Sequence, residues 1–134
     1  MIKKPHFDTD EYIAEVRQYS PQWLERYAWY TVLIDHQTPT EKWIGIRHFC
    51  RGYLVMWKYL SRKDRGDAEV KEPASPESQM GLYYFEYHQM IAKTYYCIGQ
   101  AKAKTDYEEF KRTGIIASEE TVKRIEKSIM QGGP

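Results

Sequence analysis

The chain of 134 residues contains no asparagine, only two cysteines and no long uninterrupted hydrophobic run. A protein of this length would ordinarily contain several asparagines. Avoidance of this heat-labile residue, combined with segments rich in Lys, Glu and Arg, is a tendency of thermophilic proteins. We therefore expect a thermophilic source, with chance and codon bias as the alternative explanation.

The two cysteines, Cys50 and Cys97, have no CxxC spacing, and each is flanked by apolar residues. This pattern indicates two buried thiols and not a metal site, with a disulfide between helices as the alternative. Lys58 interrupts the longest apolar stretch, so we expect no membrane-spanning segment. The first ten residues lack the apolar core of a signal peptide, so we expect no secretion by that route.

Catalytic signatures are also missing from the sequence. There is no GxSxG motif, no glycine-rich phosphate loop and no cysteine beside a plausible base. In Glu86-Tyr87-His88 the spacing of two directs the carboxylate and the imidazole to nearly opposite sides of a helix, which excludes them as joint metal ligands. We therefore expect a protein that is not an enzyme, with no cofactor and no metal, and we interpret His88 as a core or interface histidine.

The composition favours one packed helical domain. Hydrophobic residues make up 42% of the chain and aromatic residues 15%, while the 29% charged fraction argues against disorder. Serine or threonine precedes proline at the start of three helical patterns, which is typical of helix N-termini. We predict an all-α bundle of four to five helices over residues 1–134, with 1–20 as an N-terminal arm or a short helix.

Start signals and apolar spacing give the expected helix boundaries. They predict a short helix at 9–18, an apolar helix at 22–35, long helices at about 39–65 and 76–104 or beyond, and a terminal helix at 119–130. Strand propensity leaves a strand at 27–34 as an alternative. The second long helix is expected to bury a face formed by Met80, Tyr84, His88, Ile91, Tyr95 and Ile98.

The expected helix at 22–35 is apolar on almost all sides. Such a helix must be covered by several neighbours, and a domain this small offers few of them. The sequence therefore predicts self-association, through the large apolar side chains Trp23, Tyr27, Tyr30 and Ile34.

The first long helix carries a one-sided row of cations. At about 100° per residue, the five side chains fall within roughly 60° of one another on a helical wheel. We call this row the basic face, and it consists of Arg47, Arg51, Lys58, Arg62 and Arg65. Ile46, Phe49 and Met56 lie on the opposite side and are expected to enter the core.

The charge distribution makes the basic face a candidate site. Residues 39–65 contain seven Lys or Arg against two acids, whereas the rest of the chain contains thirteen against seventeen. A nearly neutral protein with one basic helix should bind a polyanion locally. We predict nucleic acid as the partner, duplex DNA bound without sequence preference, with a solvated, salt-bridged face or a protein partner as alternatives.

The segment 114–125 offers a second way to bind DNA. Its glycine, followed by Ser118, Thr121, Val122, Arg124 and Ile125, resembles the turn and recognition-helix start of helix-turn-helix proteins. In that interpretation Ser118 caps the helix and the early residues read base edges. The alternatives are therefore a small DNA- or RNA-binding regulator, a capped terminal helix, or an adaptor that binds only proteins.

Taken together, these features resemble the coat proteins of filamentous viruses of hyperthermophilic archaea. The likeness lies in chain size, the all-α plan, the aromatic content, the absence of asparagine, and a basic helix that follows a very apolar one. The resemblance implies two helical subunits that wrap a genome, adjoining bundles that pack together, and a virion or cytoplasmic location. The acidic segment 8–15 departs from this family, where a DNA-embracing arm would be basic. No functional residue of that viral family is assigned to a position in this chain.

Overall fold

A computed structural model describes residues 9–33, 38–77 and 82–132, and in these ranges the chain forms five α-helices and no β-strand. The helices are α1 (Thr9–Tyr19), α2 (Gln22–Thr31), α3 (Pro39–Asp64), α4 (Glu86–Thr113) and α5 (Ala117–Met130). The predicted all-α bundle is confirmed. None of the helices in the described ranges has the length and apolarity needed to cross a bilayer.

Helix α3 is the centre of the bundle, and it begins where the sequence predicts. The Glu41 amide donates to the Thr38 hydroxyl at 3.2 Å, and the Thr38 amide donates to the Glu41 carboxylate at 2.5 Å. This reciprocal capping satisfies two backbone donors at the helix start, and Pro39 supplies a preset φ. Every residue from 42 to 50 is buried, so the first half of α3 is enclosed on all sides.

Helices α3 and α4 cross at two glycines. A β-carbon added to Gly52 would lie 2.2 Å from the Tyr96 carbonyl oxygen, and one added to Gly99 would lie 2.2 Å from the Phe49 carbonyl oxygen. Each glycine thus admits the backbone of the opposite helix, a fit that no larger residue allows. The crossing fixes the two long helices against each other along most of their length.

Helix α2 is covered within the chain, by α3 on one side and α5 on the other. Leu24, Ala28 and Val32 are fully buried. The Trp23 ring packs edge-on against Tyr53 at 5.7 Å, and the Tyr27 ring packs on Phe49 at 5.8 Å. Trp23 and Tyr27 are therefore partly buried within the chain, and this coverage does not need a second subunit.

The two other members of the predicted self-association set have different outcomes. Tyr30 is only partly buried, and Ile34 lies outside the described residues. Helix α2 ends at Thr31, so residues 27–31 are helical and the alternative of a strand is wrong for them. Leu33, which no prediction singled out, is 79% exposed just beyond the helix.

Helix α4 begins ten residues later than predicted. Pro76 and Glu77 form a 3-10 turn, residues 78–81 lie outside the described residues, and regular helix starts at Glu86. Tyr83 lies before the helix with its ring in the core, where its hydroxyl binds His48 and Arg47. Tyr83 therefore has non-helical backbone, although the apolar spacing predicted that a continuous helix would run through this position.

The predicted buried face of α4 is only partly correct. Ile91 and Tyr95 are buried and His88 is half-buried, but Tyr84 and Ile98 are exposed, and Met80 lies outside the described residues. The helix instead packs through a face formed by the buried residues Ala92, Tyr96, Gly99 and Ala103, three of which are small. Cys50 is buried as predicted, whereas the prediction for Cys97 is wrong because its thiol is exposed; both are free.

Candidate nucleic-acid interface

The basic face is divided along α3 by the helices that pack on it. Residues at similar angles on the wheel have different surroundings, because α1 and the segment around Tyr83 cover the first half of α3 and leave the second half open. Arg47 is therefore buried, whereas Lys58 and Arg65, at nearly the same angle, are exposed.

Arg47 belongs to an internal polar cluster. Its guanidinium donates to both carboxylate oxygens of Glu15, at 2.7 and 3.1 Å, and to the Tyr83 hydroxyl at 3.0 Å. It also lies 4.1 Å from the Tyr12 ring centroid. The prediction that Arg47 lies on an open binding face is therefore wrong, since its donors already hold α1 and the Tyr83 segment on α3.

The pKa values of this cluster reflect its ion pair. Burial alone raises the pKa of Glu15, but the hydrogen bond and charge of Arg47, with the charge of Arg51, bring the pKa below its ordinary value. Burial alone lowers the pKa of Arg47, while its bonds to Glu15 and Tyr83 raise that pKa overall. Both groups therefore stay charged near neutral pH, and the pair contributes no net charge to the surface.

The remaining four cations of the basic face reach solvent to different degrees. Arg51 lies 4.0 Å from Glu15, beyond hydrogen-bond distance. Arg62 donates to Asp67 at 2.6 and 2.9 Å, which partly neutralises it. Arg65 donates to the Ser61 hydroxyl. Lys58, like Arg65, has no carboxylate within 4.0 Å among the described residues.

A groove of about 390 Å³ runs beside the second half of α3, between that helix and the chain that follows it. We call it the basic groove, and it is lined by Val55, Lys58, Tyr59, Arg62, Glu69, Val70, Lys71 and Pro73. This lining contains three cations, Lys58, Arg62 and Lys71, and one carboxylate, that of Glu69. The structure thus brings Lys58 and Arg62 together with Lys71, a residue that reasoning from the α3 wheel missed.

Lys71 has no local pattern that would have revealed it. It lies in a loop whose alternating charges suggested a solvated, acid-rich neighbour for the helix. In the structure Asp67 pairs with Arg62, and Lys71 lines the same groove as Lys58. The Tyr59 ring adds an aromatic surface to this lining, with the Lys63 ammonium 5.7 Å from its centroid.

The start of α5 does not have the capping arrangement expected of a recognition helix. Its N-cap is Ile116, and Ser118 is buried with its hydroxyl donating to Asp106 of α4. The prediction that Ser118 caps this helix is therefore wrong. Lys123 lies within 3.8 Å of both Glu119 and Glu120, which neutralise its charge.

Elsewhere the described residues contain no group of three or more His, Cys, Asp or Glu placed to hold a metal ion. His88 packs among Tyr83, Phe85 and Tyr87, and burial lowers its pKa against the opposing charge of Glu41. Its surroundings are aromatic, which agrees with a structural position in this part of the chain.

An apolar surface that the sequence did not single out lies at the start of α4. Five large side chains within nine residues are each at least 42% exposed. We call them the aromatic patch: Leu82, Tyr84, Phe85, Tyr87 and Met90. Exposed apolar surface of this density is typical of an interaction site.

Comparisons of the chain with models of known families, with curated proteins and with solved structures find no match.

Proposed function

We propose that this protein is a non-enzymatic assembly protein that binds nucleic acid through the basic groove and associates with itself. The observation that carries the proposal is the convergence of Lys58, Arg62 and Lys71 around Tyr59 on one open surface. Cations aligned along a groove suit a sugar-phosphate backbone, because phosphate contacts position a chain without reading its sequence. Arg51 and Arg65 extend the charged surface along α3.

The dimensions of this surface suit a duplex. From Arg51 to Arg65 the helix rises about 21 Å, at about 1.5 Å per residue, which is long enough to pass several phosphates. Duplex DNA bound without sequence preference is the proposed ligand. A coat-like role, as in the filamentous viruses of hyperthermophilic archaea, is the form of assembly that combines such binding with self-association.

The test is the salt dependence of duplex binding, measured by fluorescence anisotropy. Each phosphate contact contributes about 0.9 unit to the slope of log K against log salt, so Lys58→Gln with Lys71→Gln should flatten the slope by about two units. The matched control is Lys104→Gln with Lys127→Gln, which removes two exposed charges from α4 and α5. Equal effects of the two double variants would show that net charge alone drives binding, and the groove would lose its role.

Self-association is proposed to use the aromatic patch with a second copy of the chain as its partner. Sedimentation velocity should show the wild type as an oligomer, with Tyr84→Ser and Phe85→Ser together shifting it toward monomer. The control is Ile129→Ser with Met130→Ser, which removes exposed apolar groups from the end of α5. A monomeric wild type at high concentration would refute this part of the proposal.

A further inference from the structure

A second cavity, of about 320 Å³, lies between α1 and the middle of α3. It is lined by Glu15, Val16, Tyr19, Ser20, Arg47, Cys50, Arg51, Leu54 and Val55. Tyr19 and Val55 are exposed, so the cavity opens to solvent at their side, whereas Val16 and Cys50 are buried and form its inner wall. The basic groove meets it at Val55, which lines both.

The inner wall of this cavity is apolar and uncharged. Val16 and Leu54 present aliphatic side chains, and burial raises the pKa of the Cys50 thiol to about 12. A thiol with that pKa is neutral near pH 7 and behaves as a small hydrophobic group. Replacement of water at this wall by an apolar segment of a ligand would therefore be favourable.

The mouth of the cavity carries one cation, Arg51, that is only weakly compensated. Glu15 is matched by Arg47 through two short hydrogen bonds, so these two charges cancel. Arg51 is 42% exposed in its side chain, lies 4.0 Å from the already paired Glu15, and donates no hydrogen bond to the described residues. Its planar guanidinium is therefore available to bind a carboxylate with two parallel hydrogen bonds.

We propose that this cavity binds one single-chain amphiphile with a carboxylate head, of the class of medium-chain fatty acids. The carboxylate lies against Arg51 at the mouth, and the chain lies along Val16, Cys50 and Leu54. The volume is at the lower end of the range of about 300–1,000 Å³ found for ligand pockets, which suits one short chain and excludes a two-chain lipid.

The experiment is calorimetric titration of the protein with decanoate, decanol and decyltrimethylammonium, which share a chain and differ in head charge. Decanoate should bind at least tenfold more tightly than decanol, and the cationic amphiphile should not bind. Arg51→Gln should lower the affinity for decanoate about tenfold, to the level of decanol, because the charge-assisted pair is lost. Arg112→Gln, an exposed arginine at the end of α4, is the matched control and should change neither affinity.

A second variant tests the cavity itself. Tyr19→Ala removes an exposed wall and should weaken decanoate and decanol alike; a circular dichroism melt checks that it folds. Equal binding of decanoate and decanol to wild type and to Arg51→Gln would overturn the proposal, as would no binding of decanoate. Co-sedimentation of the protein with anionic phospholipid vesicles that Arg51→Gln abolishes would assign the site to a membrane lipid and overturn the free-ligand assignment.

Arg51 contributes to both proposed sites, whereas Lys58 and Lys71 line only the basic groove and Tyr19 lines only this cavity. Lys58→Gln with Lys71→Gln, which tests the basic groove, should leave the affinity for decanoate unchanged. Tyr19→Ala should likewise leave the salt slope of duplex binding unchanged. The two proposals therefore fail separately.

Discussion

The hydroxyl of Tyr53 on α3 donates to a carboxylate oxygen of Asp106 on α4 at 2.8 Å, and Asp106 has no exposed surface. Ser118 of α5 donates to the same oxygen, and the Lys102 ammonium lies 3.9 Å from the other one. One carboxyl group therefore joins three helices in the interior. Burial and the neighbouring Asp106 raise the pKa of Tyr53, so its hydroxyl remains the donor.

Removing this carboxyl group should destabilise the fold. Asp106→Ala leaves the hydroxyls of Tyr53 and Ser118 buried without an acceptor, at a cost of about 2–4 kcal/mol in the free energy of unfolding. Urea denaturation measures this. Glu108→Ala, at an exposed position of the same helix, is the control and should change stability by less than about 0.5 kcal/mol. Equal stability of the two variants would show that Asp106 does not join the helices.

The glycine crossing predicts a second large effect. Gly99→Ala places a methyl group against the Phe49 carbonyl, so α3 and α4 must separate, at a cost of about 1–3 kcal/mol or more. The exposed Thr94→Ala on the same helix should instead be neutral or slightly stabilising, because alanine favours helix. Thermal unfolding of both variants distinguishes a packing cost from a helix-propensity effect. A stable Gly99→Ala protein would contradict the close crossing.

The Glu15–Arg47 pair predicts a stability that falls in acid. The folded pKa of Glu15 is below its ordinary value of 4.5, so its contribution is complete above that pH and is lost as the pH falls through the folded pKa. Glu15→Gln should therefore be less stable than wild type near pH 7 and approach it at about pH 3. Urea midpoints across this range measure the difference. A constant difference at all pH values would exclude ionisation of Glu15 as its source.

The two thiols should differ sharply in reactivity. Cys97 is exposed, whereas Cys50 is buried with a pKa raised to about 12, so it has almost no thiolate near neutral pH. A colorimetric thiol reagent should label one cysteine rapidly in the native protein and both in urea. Cys97→Ser should remove the rapid reaction and leave the slow one. Two rapid reactions in the native state would place Cys50 at the surface.

The sequence predicted the elements whose signals are local. The capping box of Thr38 and Glu41 located the start of α3, and the left-handed Gly66 follows its end. These features depend on neighbours within four residues, which a sequence displays directly. Ser75-Pro76 carried the same kind of signal, but the long helix starts only at Glu86, after Tyr83 has joined the Arg47 cluster with non-helical backbone. Two helix-start signals of similar strength, at Thr38-Pro39 and at Ser75-Pro76, thus have different outcomes because the segments that follow them pack differently.

The sequence predicted on which side of α3 the cations of the candidate site lie, but not how deeply each of them is buried. The helical wheel placed Arg47 and Lys58 on one side of α3, and the structure keeps that direction. It could not show that Glu15, 32 residues earlier, would pair with Arg47, or that Lys71 would line the same groove as Lys58. Both facts depend on how separate segments pack, and neither has a signature in residue spacing.

Helix α3 is interior over its first half and has one open face over its second half. Substitutions at positions 42–50 should therefore cost more stability than a gain or loss of charge at exposed positions such as Lys58 and Arg65. A lineage could retune what this surface binds through a few substitutions while keeping the same bundle. The first half of α3 thus maintains the core of the bundle, and the exposed face of its second half determines what the surface can bind.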